Sequence, residues 1–270
     1  MMRMTLYVFP VFLLVSVTRG LAQEPTSDAA VREILTQSVN ASQTSQVQSF
    51  TATGIMTFHW AGRLVQANAT IRGRGHAQFR IDAEVPGGTL SFAINGISSV
   101  RKEANGRLTQ IPLHNTISKG GTTFPYLAIN AAMADQAATI SDRGVVESDA
   151  RQLHRVRIMR NAPATHDPDG LIAKLSPTDY FLDPQTNLVV GISDMTHPIQ
   201  TFGEEYLREM ELEDYSTING VAVPTRVREK ITGHTTWEFH LLDITFNTNL
   251  TDEDFFHPVT MNFVGGAGRG

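Results

Sequence analysis

From Phe50 to Ile94, apolar residues recur at every second position. Phe50, Ala52, Gly54, Met56, Phe58 and Trp60 alternate with Thr51, Thr53, Ile55, Thr57 and His59. Val65, Ala67, Ala69 and Ile71 repeat the pattern, followed by Ala77, Phe79, Ile81 and Ala83, and then by Leu90, Phe92 and Ile94. Successive strand side chains point to opposite faces, so each segment has one apolar and one polar side. Ala61-Gly62, Gly73-Arg74-Gly75 and Pro86-Gly87-Gly88 separate the segments as turns. The pattern predicts an antiparallel meander with one wet face.

Asn95-Gly96 and Asn105-Gly106 are tight-turn dipeptides and predict short strands near 97–102 and 107–111. Strands return around Val156 and Ile158, at 180–182 and 188–192 about the turn Asp183-Pro184-Gln185-Thr186-Asn187, and at 221–231 after Asn219-Gly220. Tyr206, Met210 and Leu212 alternate with Glu205, Glu209, Glu211 and Glu213. Trp237, Phe239 and Leu241 share one parity, whereas Leu242, Ile244 and Phe246 share the other. A parity switch inside one strand predicts a β-bulge.

Two segments follow the helical period instead. Val31, Ile34, Leu35, Ser38 and Val39 form a narrow stripe, with Thr26, Ser27 or Asp28 as the cap and poor helix formers from Ser42 to Ser45. Pro125 opens a second helix through about Asp135, in which Tyr126, Leu127, Ile129 and Met133 spread around the axis and predict deep burial. The stretches 117–121 and 161–174 read as loops. These elements amount to about ten or eleven strands and two main helices, an α+β fold. A sheet this long curls, since a flat one would expose a large apolar face. The expected architecture is a strongly curved antiparallel sheet, an incomplete β-barrel, with helices covering its concave side. No internal linker breaks the pattern, so 23–258 is expected to be a single domain.

The first residues change the picture of where the chain works. Arg3 precedes the apolar run Met4–Val17, and Gly20-Leu21-Ala22 places small residues before Gln23. This reads as a cleavable signal peptide at 1–22, too short and too interrupted by Pro10 to span a bilayer. The chain has no cysteine, hence no lipid-anchor acceptor, no disulfide and no thiol chemistry. A periplasmic or secreted location follows, with a flexible glycine-rich tail at 259–270. The net charge of −5 becomes more negative once Arg3 and Arg19 leave, which disfavours nucleic acid.

No cluster of residues spells out a reaction. His234, Glu238 and His240 share one strand face, yet same-face neighbours lie roughly 7 Å apart, far more than zinc ligation allows. His166-Asp167-Pro168-Asp169-Gly170 lacks the oxygen ligands and closing glutamate of a calcium loop. Glu209, Glu211 and Glu213 read as a solvated outer row. Asn40-Ala41-Ser42, Asn68-Ala69-Thr70 and Asn249-Leu250-Thr251 match glycosylation sequons. The expectation is no enzyme, no cofactor and no metal. What remains is apolar surface: Phe50, Met56, Phe58, Trp60, Phe79, Ile81, Leu90 and Phe92 face one way. They form either an ordinary core or the lining of a pocket for an acyl chain.

The order of parts resembles the periplasmic lipoprotein-carrier (Lol-type) superfamily. The resemblance rests on the helix Val31–Val39 leading into Val47-Gln48-Ser49-Phe50-Thr51-Ala52-Thr53, on Arg72-Gly73-Arg74-Gly75-His76-Ala77-Gln78-Phe79-Arg80, on Ile94-Asn95-Gly96 and on Asp243-Ile244-Thr245-Phe246-Asn247. It implies a half-open barrel with helices as a lid over a cavity that takes lipid chains. The family's lid-holding arginine falls here at Arg72 or Arg74, without the adjoining proline, and Tyr126, Leu127 and Ile129 become lid or rim residues. The implied partner is a lipid acyl chain or a lipoprotein, held by a monomer that makes transient membrane or envelope-protein contact. Relatives of this fold also act as envelope-stress sensors, so the second reading is an interaction module with a packed core.

Overall fold

The period-2 segments pair with their neighbours in chain order. In the computed structural model, which describes residues 28–256 except 119–122, 149–150, 164, 200 and 202, the first meander comprises β1 (Ser49–Trp60), β2 (Arg63–Arg74), β3 (Gln78–Val85), β4 (Gly88–Asn95), β5 (Ser98–Lys102) and β6 (Leu108–Ile111). The second comprises β7 (Thr139–Ser148), β8 (Arg151–Met159), β9 (Thr178–Leu182), β10 (Val189–Thr196), β11 (Tyr206–Ile218), β12 (Val221–Ile231) and β13 (His234–Phe246). The two halves join where β1 pairs with β13, giving one antiparallel sheet of 13 strands. β6 and β7 are its free edges, so the sheet stays open. The expected signal segment and glycine tail lie outside the described residues.

The strand count exceeds the expected ten or eleven. β7 carries only Ile140, Val145 and Val146 as large apolar residues, and its register shifts between Asp142 and Val145, where Gly144 has φ 77°. An edge strand broken by a bulge shows no sustained alternation. Two short helices also form where the sequence pattern predicts none, α2 running into the expected loop at 117–121 and α4 lying almost wholly in the one at 161–174. α2 (Leu113–Ser118) starts where the Pro112 carbonyl accepts the Asn115 and Thr116 N–H groups, and α4 (Leu171–Leu175) starts on the Asp167 carboxylate, which accepts the Leu171 and Ile172 N–H groups at 2.8 Å each. A helix of five or six residues is too short to show a 3.6-residue period.

The bulge in β13 falls where the parity switch placed it. Thr53 faces Asp243 and Gly54 faces Leu241, leaving Leu242 unpaired against β1 and 71% exposed. Gly54 has no room for a side chain, because a Cβ there would lie 2.1 Å from the His240 carbonyl oxygen.

Helices α1 (Asp28–Ser42) and α3 (Tyr126–Ala134) fill part of the concave side. Val31, Leu35 and Val39 of α1 share one core with Tyr126 and Ile129 of α3 and with Ala52, Ile71, Val223, Val227 and Ile244 of the sheet. Asn130 Nδ2 donates to the Thr44 carbonyl at 2.9 Å, and Arg32 Nη1 to the Met133 carbonyl at 3.2 Å, tying the two helices together.

Salt bridges staple the opposite face. Asp179 accepts from Arg157 Nε at 2.7 Å and Arg155 Nε at 2.9 Å, and Asp82 from Arg72 Nη1 at 2.7 Å and Arg80 Nε at 2.8 Å. Burial alone would raise both carboxyl pKa values, but the bonds from Arg157 and Arg155, and from Arg80, Ser91 and Arg72, outweigh it and hold them below the ordinary 3.8. A carboxyl with a depressed folded pKa contributes stability that is present above its unfolded value and is lost as pH falls through its folded value. The urea midpoint is therefore expected to drop as pH falls below about 4. Asp179→Asn should flatten that dependence, and an unchanged acid limb in this variant would remove Asp179 as a cause.

Candidate functional site

The concave side is divided in two. Beneath α3, Phe124 packs against Phe50, Tyr126 and Phe246 with ring centroids 5.4, 5.8 and 5.6 Å apart. This half is largely filled, with a small pocket of about 70 Å³ left between Ala128, Ala131 and Ala132 of α3 and Ile158 and Tyr180 of the sheet. At the other end of the strands a cavity of about 420 Å³ remains. Met56, Phe58 and Trp60 of β1, Phe79, Ile81 and Ala83 of β3, Leu90 and Phe92 of β4, and Trp237 of β13 form its apolar wall. Phe58 and Trp60 stack at 4.9 Å. Between β1 and β3, the strand β2 puts Ala67 and Ala69 in register opposite Met56 and Gly54, so short side chains underlie large ones. Small residues on the strand between two aromatic rows leave the volume that those rings enclose.

Seven of the eight residues expected to line a pocket lie around this cavity; Phe50 instead belongs to the filled aromatic cluster. The expected rim residues lie elsewhere. Arg72 bonds Asp82, while Arg74 donates to the Leu250 carbonyl at 2.7 Å, pairs with Asp252 and lies 5.7 Å from the Phe255 ring. Both stand on the face of β2 opposite Ile71, because their parity is opposite. There Arg74, with Arg80 of β3 donating to the Asp254 carbonyl at 3.2 Å, clamps the chain around the 3₁₀ turn Asp252–Phe255 onto the sheet. Tyr126, Leu127 and Ile129 form no lid over the cavity. They are buried, and the Tyr126 hydroxyl accepts the Val189 N–H at 3.2 Å, fixing α3 to β10.

The floor of the cavity is polar, which hydrophobic patterning did not reveal. Arg208, only 2% exposed, sits in the inward row of β11 with Met210 and Leu212. Its Nε donates to Asp194 at 2.7 Å and its Nη2 to the same carboxylate, while Nη1 reaches Glu229 at 3.4 Å. Thr236 Oγ1 donates to Glu229 at 2.6 Å. Thr236 reaches it because the β12–β13 register slips there: Glu229 faces Trp237 and Lys230 faces Thr235, so Thr236 is an extra residue. The bulge re-aims that hydroxyl toward Glu229. Burial works against the Arg208 charge, but Asp194 and Glu229 hold its pKa above the ordinary value. Arg208, Glu229 and Thr236 all contact the cavity, together with Arg101 of β5. A charged residue in an inward row is the sequence signal that marks this site.

The histidine face holds no metal arrangement. Glu238 engages Arg228 at 3.4 Å and His59 at 3.5 Å, and no group of three His, Asp or Glu among the described residues is placed to hold an ion. Glu211 and Glu213 of the acidic row are taken up by Arg228 and Lys230, and by Arg226.

An open antiparallel sheet curled around helices, with a partly hollow concave side, is a fold that this chain shares with several solved structures. A LolA-superfamily protein from Nitrosomonas europaea superposes with a TM-score of 0.54 at 9% identity, over 84% of this chain and 97% of that one. A putative outer-membrane lipoprotein-sorting protein domain from Vibrio parahaemolyticus gives 0.53 at 11% identity, over 83% and 95%. A DUF1329 family protein from Desulfovibrio piger gives 0.52 at 10% identity, over 84% and 97%. At these identities the likeness is one of fold. No protein-family model matches the sequence, and no curated protein matches it either.

Proposed function

We propose that the protein is an exported, non-enzymatic carrier that holds an acyl chain, free or attached to a lipoprotein, in the aromatic cavity between β1, β3, β4 and β13. The observation that carries this reading is the 420 Å³ of space walled by Met56, Phe58, Trp60, Phe79, Ile81, Leu90 and Phe92. Small-ligand pockets span roughly 300–1,000 Å³ and are mostly apolar with a few placed polar groups. An alkyl chain gains about 0.8 kcal/mol per buried methylene, so ten methylenes supply roughly 8 kcal/mol without any specific polar motif. That term gives a chain with no specific polar motif affinity for an alkyl ligand, because apolar burial is non-directional. The outer-membrane lipoprotein-sorting domain among the structural neighbours is consistent with an envelope location, as is the signal-like segment 1–22.

Native mass spectrometry of the mature protein, purified from its own host, is expected to show a mass increment that organic extraction removes and identifies as a lipid. Protein that is bare under native ionisation, and that also fails to take up a fluorescent fatty acid, ends this reading.

A further inference from the structure

The cavity extends to the end of the sheet where the β1–β2 hairpin turns, since Trp60, the last residue of β1, lines it. Trp60 is also 42% exposed, and Leu64, paired with His59 on the opposite face of the same hairpin, is 67% exposed. Between them the turn Ala61-Gly62-Arg63 is exposed throughout. A tryptophan and a leucine exposed together give this tip an apolar point. Trp favours the bilayer interface, where its ring is half immersed.

The charge around this end selects the surface. Arg63 at the hairpin, and Arg101, Lys102 and Arg107 at the β5–β6 turn, lie at the same strand ends. The β3–β4 turn packs against the β5–β6 turn, since a Cβ on Gly88 would lie 2.3 Å from the Ala104 carbonyl oxygen. The acids at this end of the first meander are Glu84 and Glu103, and Glu103 is already paired with Arg101 at 2.8 Å. Glu204 and Glu205 lie at the same end of the second meander, on the β10–β11 connection, where Tyr206 bonds Glu204. In a chain of net charge −5, the end of the first meander is thus locally cationic.

We infer that this hairpin end docks onto an anionic lipid surface, with Trp60 and Leu64 in the interface and Arg63, Lys102 and Arg107 against lipid phosphates. This goes beyond the ligand assignment and does not depend on it: the docking residues Arg63 and Leu64 lie outside the cavity wall. Docking there would place that end of the cavity at the bilayer, so a chain could transfer without crossing water.

The test is co-sedimentation of the full mature protein with vesicles of equal parts phosphatidylcholine and phosphatidylglycerol, and with phosphatidylcholine alone. Binding to the anionic vesicles, weakened by salt, is expected. The double variant Arg63→Glu/Leu64→Asp should partition roughly tenfold or more less well, since each basic residue near an anionic surface contributes severalfold. Its thermal transition should match the wild type, both positions being exposed. Equal partitioning of variant and wild type overturns the inference, as does wild-type binding that is absent or indifferent to phosphatidylglycerol. Retained lipid in a variant that no longer binds vesicles supports it and leaves the cavity reading intact. A lipid-free protein that still docks through this hairpin separates the two in the other direction.

Discussion

Ala83→Phe is expected to weaken acyl-chain binding about a hundredfold while leaving the protein as stable as before. Ala83 is fully buried in β3, at the cavity wall between the rings of β1 and the side chains of β4. A phenyl group there takes the room of three or four methylenes, at roughly 0.8 kcal/mol each. The control is built into the same variant. If the space is hollow, the ring fills it and the urea midpoint holds or rises. If the space is already packed, overfilling costs about 1–3 kcal/mol. Titration with a fluorescent fatty acid and urea unfolding read the two effects separately. Wild-type affinity in the Ala83→Phe protein would falsify the placement of the chain against β3.

Arg208→Met is expected to destabilise the fold by about 3–5 kcal/mol, the usual loss when one member of a buried charge pair is removed. Asp194 and Glu229 stay behind, 5% and 8% exposed, without the guanidinium they share. Burying carboxylates without a counter-charge is far more costly than losing the attraction itself. Replacing all three groups, Arg208→Met with Asp194→Leu and Glu229→Met, should therefore recover most of the loss, because an apolar trio has nothing to desolvate. Urea unfolding at neutral pH distinguishes the two proteins. A triple variant as unstable as the single one would show that the network contributes by geometry and not by charge balance. The expected fall in urea midpoint below about pH 4 belongs to a different set of groups, Asp82 and Asp179 on the opposite face, so it should persist in both variants.

Much of the fold was legible because alternation is a property of neighbours along the chain. The β1–β4 meander and the bulge at Leu242 follow from local parity, and the tight turns at Gly96 and Gly106 from their Asn-Gly dipeptides. The elements missed were those too short or too irregular to repeat: β7 with its bulge, and the short helices α2 and α4. The polar floor escapes the pattern for a different reason. Alternation assigns residues to faces by counting apolar positions, so it gives no weight to Arg208 beside Met210, Glu229 beside Val227 and Asp194 beside Ile192, although their parity points inward. The same parity puts Arg72 and Arg74 on the other face, and it overrules the rim role that the family resemblance implied.

The sequence by itself determined which residues share a face, because a two-residue period fixes side-chain direction without reference to anything distant. It determined neither how tightly the sheet curls nor how far α3 reaches into the hollow. Only the folded chain decided that Phe124 fills the space beside Phe50 while the space beside Phe58 stays open. Volume left between side chains depends on contacts between residues far apart along the chain, and no local period carries that information.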